Sequence, residues 1–129
     1  MREPDAELDR LANQVIGAAI AVHRELGPGF LEKVYEEALC LQLSQIGVEF
    51  ERQKRVEIRF RGHVVGEAVL DLLVGGRLLV ELKAADTIHP VHLAQTISYL
   101  RTIGEPLGLL INFQVALLKD GIKRVISSA

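Results

Sequence analysis

The 129-residue sequence has a single cysteine, no tryptophan and only 5% aromatic residues. One cysteine excludes an internal disulfide framework and a zinc site built from cysteines, and it favours a reducing compartment. We therefore expect the protein in the cytoplasm. Cys40 lies between Leu39 and Leu41 in an apolar helical stretch, which predicts a buried thiol that acts as a small apolar side chain.

Long apolar runs and a strong net charge are also absent. No apolar stretch approaches the roughly 18 residues of a membrane-spanning helix, and segment 1–7 is acidic where a signal peptide is basic and then apolar. We therefore expect neither a membrane span nor secretion. The net charge of −2 gives no general attraction to nucleic acid, so a site for a polyanion requires local clustering of basic residues.

Hydrophobic periodicity predicts an α/β domain. Apolar residues recur every three or four positions in three segments, which predicts helices over 5–26, 31–46 and 90–103. Alternating or continuous apolar patterns predict strands over 56–60, 64–74, 77–82, 107–113, 116–118 and 122–126, the last two joined by an Asp-Gly turn. Because 129 residues form one core, we expect a single domain, 1–129, in which helices cover a mixed sheet.

Three charged residues, Asp71, Glu81 and Lys83, interrupt the apolar strands, where an unpaired charge is costly. Glu81 and Lys83 are two apart on a strand and face the same side. One interpretation is a structural Glu81–Lys83 ion pair, which leaves Asp71 without a partner. In the other, Asp71 and Glu81 hold a hard cation such as Mg²⁺, and Lys83 positions or deprotonates the attacking water. The residue pattern alone leaves both interpretations open.

Two motifs resemble a known family. Asp71 followed by Glu81-Leu82-Lys83 resembles the D…(D/E)-x-K signature of the PD-(D/E)XK nuclease superfamily. Gly29 to Tyr35 reads Gly-x-x-Glu-x-x-Tyr, the motif that names the GxxExxY family within that superfamily. The resemblance extends over about 15–126, although Leu70 stands where the superfamily name has proline.

The resemblance implies a restriction-endonuclease-like α/β sandwich, a mixed sheet flanked by helices, and Mg²⁺- or Mn²⁺-dependent hydrolysis of nucleic acid. It implies that Asp71, Glu81 and the backbone carbonyl of Leu82 bind the metal, and that Lys83 serves the attacking water. It assigns three further catalytic residues: Glu32, the helix carboxylate of many such nucleases, and Gln95 and Tyr99, which match the Q-x-x-x-Y motif of the RecB-type branch.

Several alternatives accompany this hypothesis. The competing function is a non-catalytic nucleic-acid-binding or protein-interaction module that retains the nuclease fold. Because 129 residues leave little beyond the core for recognition, a partner or self-association would supply it.

His89 and His92 suggest a metal pair, but Pro90 opens a helix between them and no third soft ligand is near in sequence. One basic cluster either contacts phosphates or guards an edge strand with charge: Arg52, Lys54, Arg55, Arg59 and Arg61.

The hairpin loop decides whether the two carboxylates meet. With a two-residue loop at Gly75-Gly76, Asp71 would oppose Val80 and lie on the opposite face from Glu81. An odd loop such as Gly75-Gly76-Arg77, or a bulge, places both carboxylates on one face. We predict this second arrangement, with the shared face directed toward three helical residues: Glu32, Gln95 and Tyr99.

Overall fold

The computed structural model describes residues 4–127 as a five-stranded mixed sheet with helices on both faces. The elements are α1 (Ala6–Leu26), α2 (Glu32–Gln45), β1 (Phe50–Phe60), β2 (His63–Val74), β3 (Leu78–Lys83), α3 (Pro90–Ile103), β4 (Leu107–Asn112), a short 3₁₀ helix (Leu118–Gly121) and β5 (Ile122–Ile126). The strands lie in the order β1-β2-β3-β4-β5. Residues 1–3 of the acidic N-terminal segment lie outside the described residues.

Only β3 and β4 are parallel, and α3 makes the crossover between them. Helices α1 and α2 cover one face, where Leu8 and Leu39 pack with Leu82 in the larger core cluster. Helix α3 covers the other face, where Leu100 packs with Leu79 in a second cluster. This architecture confirms the predicted α/β sandwich.

Local signals set the helix boundaries as predicted. Asp5 caps α1, since its Oδ1 accepts a hydrogen bond from the backbone N–H of Leu8 at 3.0 Å. Helix α3 begins at Pro90 and ends before Gly104, whose φ of 71° closes the last turn. Cys40 on α2 is 5% exposed, and burial raises the pKa of its thiol to about 11, which confirms the predicted buried cysteine.

Two strand predictions were wrong. Strand β1 begins at Phe50, six residues before the predicted start at 56, because charged residues on this edge strand hide its alternation. The predicted strand over 116–118 does not form. Instead the backbone N–H of Asp120 donates to the carbonyl of Leu117 at 3.0 Å in the 3₁₀ turn, and β5 pairs directly with the open edge of β4. No helix within residues 4–127 is long and apolar enough to cross a membrane.

Candidate functional site

The loop between β2 and β3 has three residues. Val74 pairs with Leu78, which leaves Gly75-Gly76-Arg77 as the connection and confirms the predicted odd loop. Gly75 and Gly76 have φ values of 59° and 71°, in the left-handed region that glycine occupies without strain. If the same antiparallel register is extended by one residue beyond Leu72 and Val80, Asp71 lies opposite Glu81.

Backbone pairing between β2 and β3 stops at Leu72 and Val80. Beyond this point, two carboxylates hydrogen-bond to backbone N–H groups of the opposite strand. The backbone N–H of Asp71 donates to Oε2 of Glu81 at 2.8 Å. The backbone N–H of Leu82 donates to Oδ2 of Asp71 at 2.9 Å. Each carboxylate therefore binds the main chain of the other strand, and both side chains lie in the gap where the strands part.

This gap concentrates negative charge. Burial raises the pKa of Glu81 to about 8, and the nearby charge of Asp71 adds to the rise. Burial also raises the pKa of Asp71. The charge of Lys83 opposes both shifts, but no ion pair within residues 4–127 joins Lys83 to either carboxylate. The alternative of a structural Glu81–Lys83 ion pair is therefore wrong.

We expect the metal-free protein to lose stability as pH rises from about 4.5 toward about 8. The folded state keeps the proton of Glu81 over this window while the unfolded chain releases it, so the folded state binds more protons and is disfavoured by rising pH. Chemical denaturation in EDTA at several pH values measures the effect. Glu81→Gln should flatten the profile and the exposed Glu25→Gln should not; equal slopes in all three proteins would contradict the assignment.

Helix α2 brings Glu32 toward the strand carboxylates. Glu32 lies in the first turn with its side chain open to solvent. Partial desolvation of the carboxyl raises the pKa of Glu32; the charge of Lys83 lowers it, and those of Asp71 and Glu36 raise it further. The structure thus places Glu32 within electrostatic range of Asp71 and Lys83.

Tyr35 holds the loop that precedes Glu32. Its hydroxyl donates to the carbonyl of Gly27 at 2.6 Å and accepts from the backbone N–H of Phe30 at 3.2 Å. Its ring is fully buried and stacks on Phe113 with centroids 4.5 Å apart. The tyrosine of the Gly-x-x-Glu-x-x-Tyr motif therefore ties the glycine loop to α2 and sets where the helix begins.

Tyr35→Phe should lower the free energy of unfolding by about 1–3 kcal/mol, because it removes the hydroxyl from both of its hydrogen bonds and leaves the half-buried Gly27 carbonyl without this donor. The stacked ring is retained, so the slope of unfolding against denaturant should not change. Urea titration of the two proteins measures the difference. A variant as stable as wild type would show that the hydroxyl does not hold the loop.

Of the α3 residues that the sequence singled out, Tyr99 lies near the carboxylates, whereas Gln95 and His92 make no hydrogen bond to them among the described residues. Burial raises the pKa of Tyr99, and the charges of Glu81 and Asp71 add to it, so the tyrosine lies near the carboxylates. Gln95 is exposed, and among the described residues no hydrogen bond joins it to them. His92 Nδ1 accepts from the backbone N–H of His89 at 3.2 Å, so this ring nitrogen closes the first turn of α3 and is not free for a metal.

The predicted single face is wrong in one respect. Glu32 and Tyr99 cannot approach from the same side, because α2 and α3 pack on opposite faces of the sheet. They approach the carboxylates from two sides at the point where β2 and β3 part. The apolar periodicity of a helix shows which of its sides is buried, but it does not show on which face of the sheet the helix packs.

Sequence reasoning missed Gln53 and Glu36. Gln53 lies on β1 across from Asp71, and its Nε2 donates to Oε1 of Glu36 at 2.8 Å and lies 3.5 Å from Oδ1 of Asp71. Glu36 is only 9% exposed. Its position four residues after Glu32, on the same helix face, is the one sequence signal that pointed to it. Gln53 had no such signal, since it precedes the predicted strand.

The basic cluster lies on the edge strand β1, where acidic side chains pair with most of it. The ion pairs are Arg52–Glu36, Arg52–Glu37, Lys54–Glu51, Arg55–Glu67 and Arg59–Glu57. Arg61 lies 4.9 Å from the ring centroid of Phe60. These contacts favour an edge strand guarded by charge over a surface dedicated to phosphates.

Comparison with known proteins identifies the family. The model of the PD-(D/E)XK nuclease superfamily matches residues 9–125. The chain belongs to this superfamily. Among solved structures it is similar to the alkaline exonuclease LHK-Exo from Laribacter hongkongensis, with a TM-score of 0.52 and 13% sequence identity over 98% of this chain and 73% of that one. At this identity the likeness shows the fold. None of the curated proteins compared with the chain matches it.

PD-(D/E)XK nucleases typically use divalent metals, and the donor set of this chain fits Mg²⁺. Within residues 4–127, no group of three or more His, Cys, Asp or Glu side chains is arranged to hold a metal. Mg²⁺, however, needs only one or two carboxylates because it keeps several of its waters. Asp71 and Glu81 supply two carboxylates, held side by side by main-chain hydrogen bonds, and a cation would relieve their mutual repulsion.

Proposed function

We propose that this PD-(D/E)XK protein is a divalent-metal-dependent nuclease that hydrolyses phosphodiester bonds of nucleic acid. The observation that carries the proposal is the carboxylate pair of Asp71 and Glu81, held by main-chain hydrogen bonds in the gap between two strands beside Lys83. A structural role would pair these carboxyl groups with a basic side chain, yet no ion pair within the described part of the chain does so.

Asp71, Glu81 and the carbonyl of Leu82 would hold Mg²⁺ or Mn²⁺. Bound there, the cation would polarise the phosphate and lower the pKa of a bound water. The ammonium group of Lys83 would hold the attacking water in line and stabilise the negative charge that develops on the phosphate. Glu32 would complete a second metal site at the open side of the pair.

Gln95 and Tyr99 complete the proposed catalytic set. They are four residues apart and so share one side of α3, where Tyr99 lies near the carboxylates. We assign both to orienting the nucleic acid. The exposed side chain of Gln95 is open to a bound strand.

We also assign the chain to the GxxExxY branch of the superfamily, as one nuclease-like domain over 1–129. The hydrogen bonds of Tyr35 support this assignment, because they give the motif's tyrosine a role in placing Glu32. The single, buried Cys40 suits a cytoplasmic protein. With so little surface beyond the core, a partner or a second copy of the chain would contribute to recognition of the nucleic acid.

The test is cleavage of single-stranded and duplex DNA and RNA by purified protein with Mg²⁺, with Mn²⁺ and with EDTA. We expect cleavage that requires the metal and stops on chelation. Absence of cleavage on every substrate with either metal would favour the alternative, a non-catalytic nucleic-acid-binding or protein-interaction module that retains the fold.

A further inference from the structure

Gln53 has an unusual backbone conformation beside the candidate site. Its φ is 48°, a left-handed value that residues with a Cβ rarely adopt, although it is the fourth residue of β1. Arg52 pairs with Leu72 and Lys54 with Leu70, so Gln53 faces Asp71 across the two strands. Such strain persists only where the surroundings hold the residue in place, and it is concentrated at functional sites.

At this position the side chains of both strands change the face of the sheet to which they point. On one side of it, Val56 of β1 and Leu70 of β2 pack in the core cluster beneath α3. On the other side, Phe50 and Leu72 pack in the cluster beneath α1 and α2. Regular alternation would leave Leu70 and Leu72 on the same face. The irregularity at Gln53 and Asp71 therefore reverses the faces and lets the Asp71 carboxylate enter the gap between β2 and β3.

The side chain of Gln53 links this irregularity to α2. Its amide donates to Oε1 of Glu36 at 2.8 Å, and Oε2 of Glu36 accepts from Arg52 at 2.8 Å. The same amide nitrogen lies 3.5 Å from Oδ1 of Asp71, while Oδ2 accepts from the backbone of Leu82. Each oxygen of the Asp71 carboxylate is thus contacted from a different strand.

We infer that Gln53 is a positioning residue for Asp71. Its amide, anchored on Glu36, orients the carboxylate so that one oxygen stays on the main chain of Leu82 and the pair with Glu81 is preserved. The consequence for metal binding rests on the proposed function. The orientation itself does not, because the backbone N–H of Leu82 reports it in the metal-free protein.

The test compares Gln53→Gly with Arg61→Gly. Both variants place glycine at a left-handed residue, since Arg61 has a φ of 52°, but only the first removes a group that contacts Asp71. Glycine adopts this conformation without strain, which offsets the loss of side-chain contacts, so both variants should fold. Hydrogen exchange followed by NMR should show the Leu82 amide exchanging about tenfold faster in Gln53→Gly, as expected from weakening one hydrogen bond to a charged group. In Arg61→Gly it should be unchanged.

Calorimetry with Mn²⁺ supplies the second readout. We expect Gln53→Gly to bind about tenfold more weakly than wild type, the effect typical of removing a group that orients a ligand, and Arg61→Gly to bind as wild type does. Unchanged exchange at Leu82 would overturn the inference, and faster exchange with unchanged Mn²⁺ affinity would overturn its consequence for metal binding. Should Gln53→Gly not fold, Gln53→Asn, which tolerates a left-handed φ but is one methylene shorter, is subject to the same criteria. A wild-type protein that binds no Mn²⁺ would overturn the proposed function, while exchange at Leu82 would still decide the role of Gln53.

Discussion

Lys83→Ala is expected to slow metal-dependent cleavage by roughly 10²–10⁴-fold, the range typical of losing a catalytic proton-transfer or charge-stabilising group. The fold should not change. No ion pair in the described part of the chain depends on the ammonium group, and the structural contact of this residue is its backbone carbonyl, which accepts from Phe113 at 2.9 Å. Alanine retains that carbonyl.

Single-turnover cleavage separates this effect from product release, and binding measured in EDTA shows whether the variant still recognises nucleic acid. The matched control is Lys123→Ala, which removes an exposed ammonium group from the edge strand β5. We expect the control to fold and cleave as wild type does. A Lys83→Ala protein that folds and cleaves at the wild-type rate would remove Lys83 from the mechanism.

Asp71→Asn should produce two effects of opposite sign. Loss of a carboxylate ligand should weaken Mn²⁺ binding by on the order of 100-fold. Loss of a group that only orients a metal ligand already weakens binding by about 10- to 100-fold, so loss of a ligand itself should be at least at the upper end of that range. In the metal-free protein the same change should increase stability near pH 8. Removal of the Asp71 charge lowers the pKa of Glu81, which Asp71 raises, and the asparagine oxygen can still accept from Leu82.

Calorimetry measures the first effect and denaturation in EDTA measures the second. Asp120→Asn is the control, because it removes an exposed carboxylate in the 3₁₀ turn. Equal Mn²⁺ affinity in wild type and Asp71→Asn would show that the metal site is assigned to the wrong residue. A metal-free variant less stable than wild type would show that the two carboxylates do not repel each other in the fold.

Several features of this protein follow from its sequence alone. The limits of α3 depend on Pro90 and Gly104, whose backbone preferences act within one turn. Parity restricts the hairpin, because two carboxylates ten residues apart can be opposite only with an odd loop, here Gly75-Gly76-Arg77, or with a bulge. The D…ExK spacing then places Asp71 and Glu81 together. These are local or arithmetic constraints, and periodicity and spacing are sufficient to state them.

Other features were decided by contacts between distant segments. The layer in which each helix packs depends on the whole sheet, which is why Glu32 and Tyr99 lie near the carboxylates on opposite faces. The predicted strand over 116–118 does not form, because β5 pairs directly with β4.

The reversal at Gln53 also has no local signal. A left-handed glutamine is unfavourable by itself. Its conformation is set by Glu36 on α2 and Asp71 on β2, which come together only when the helix and both strands have packed. The sequence by itself identified the candidate site residues and, through their spacing, how the hairpin aligns Asp71 with Glu81. Tertiary packing decided how the Asp71 carboxylate is held, because that depends on groups 17 and 18 residues from Gln53 in opposite directions along the chain.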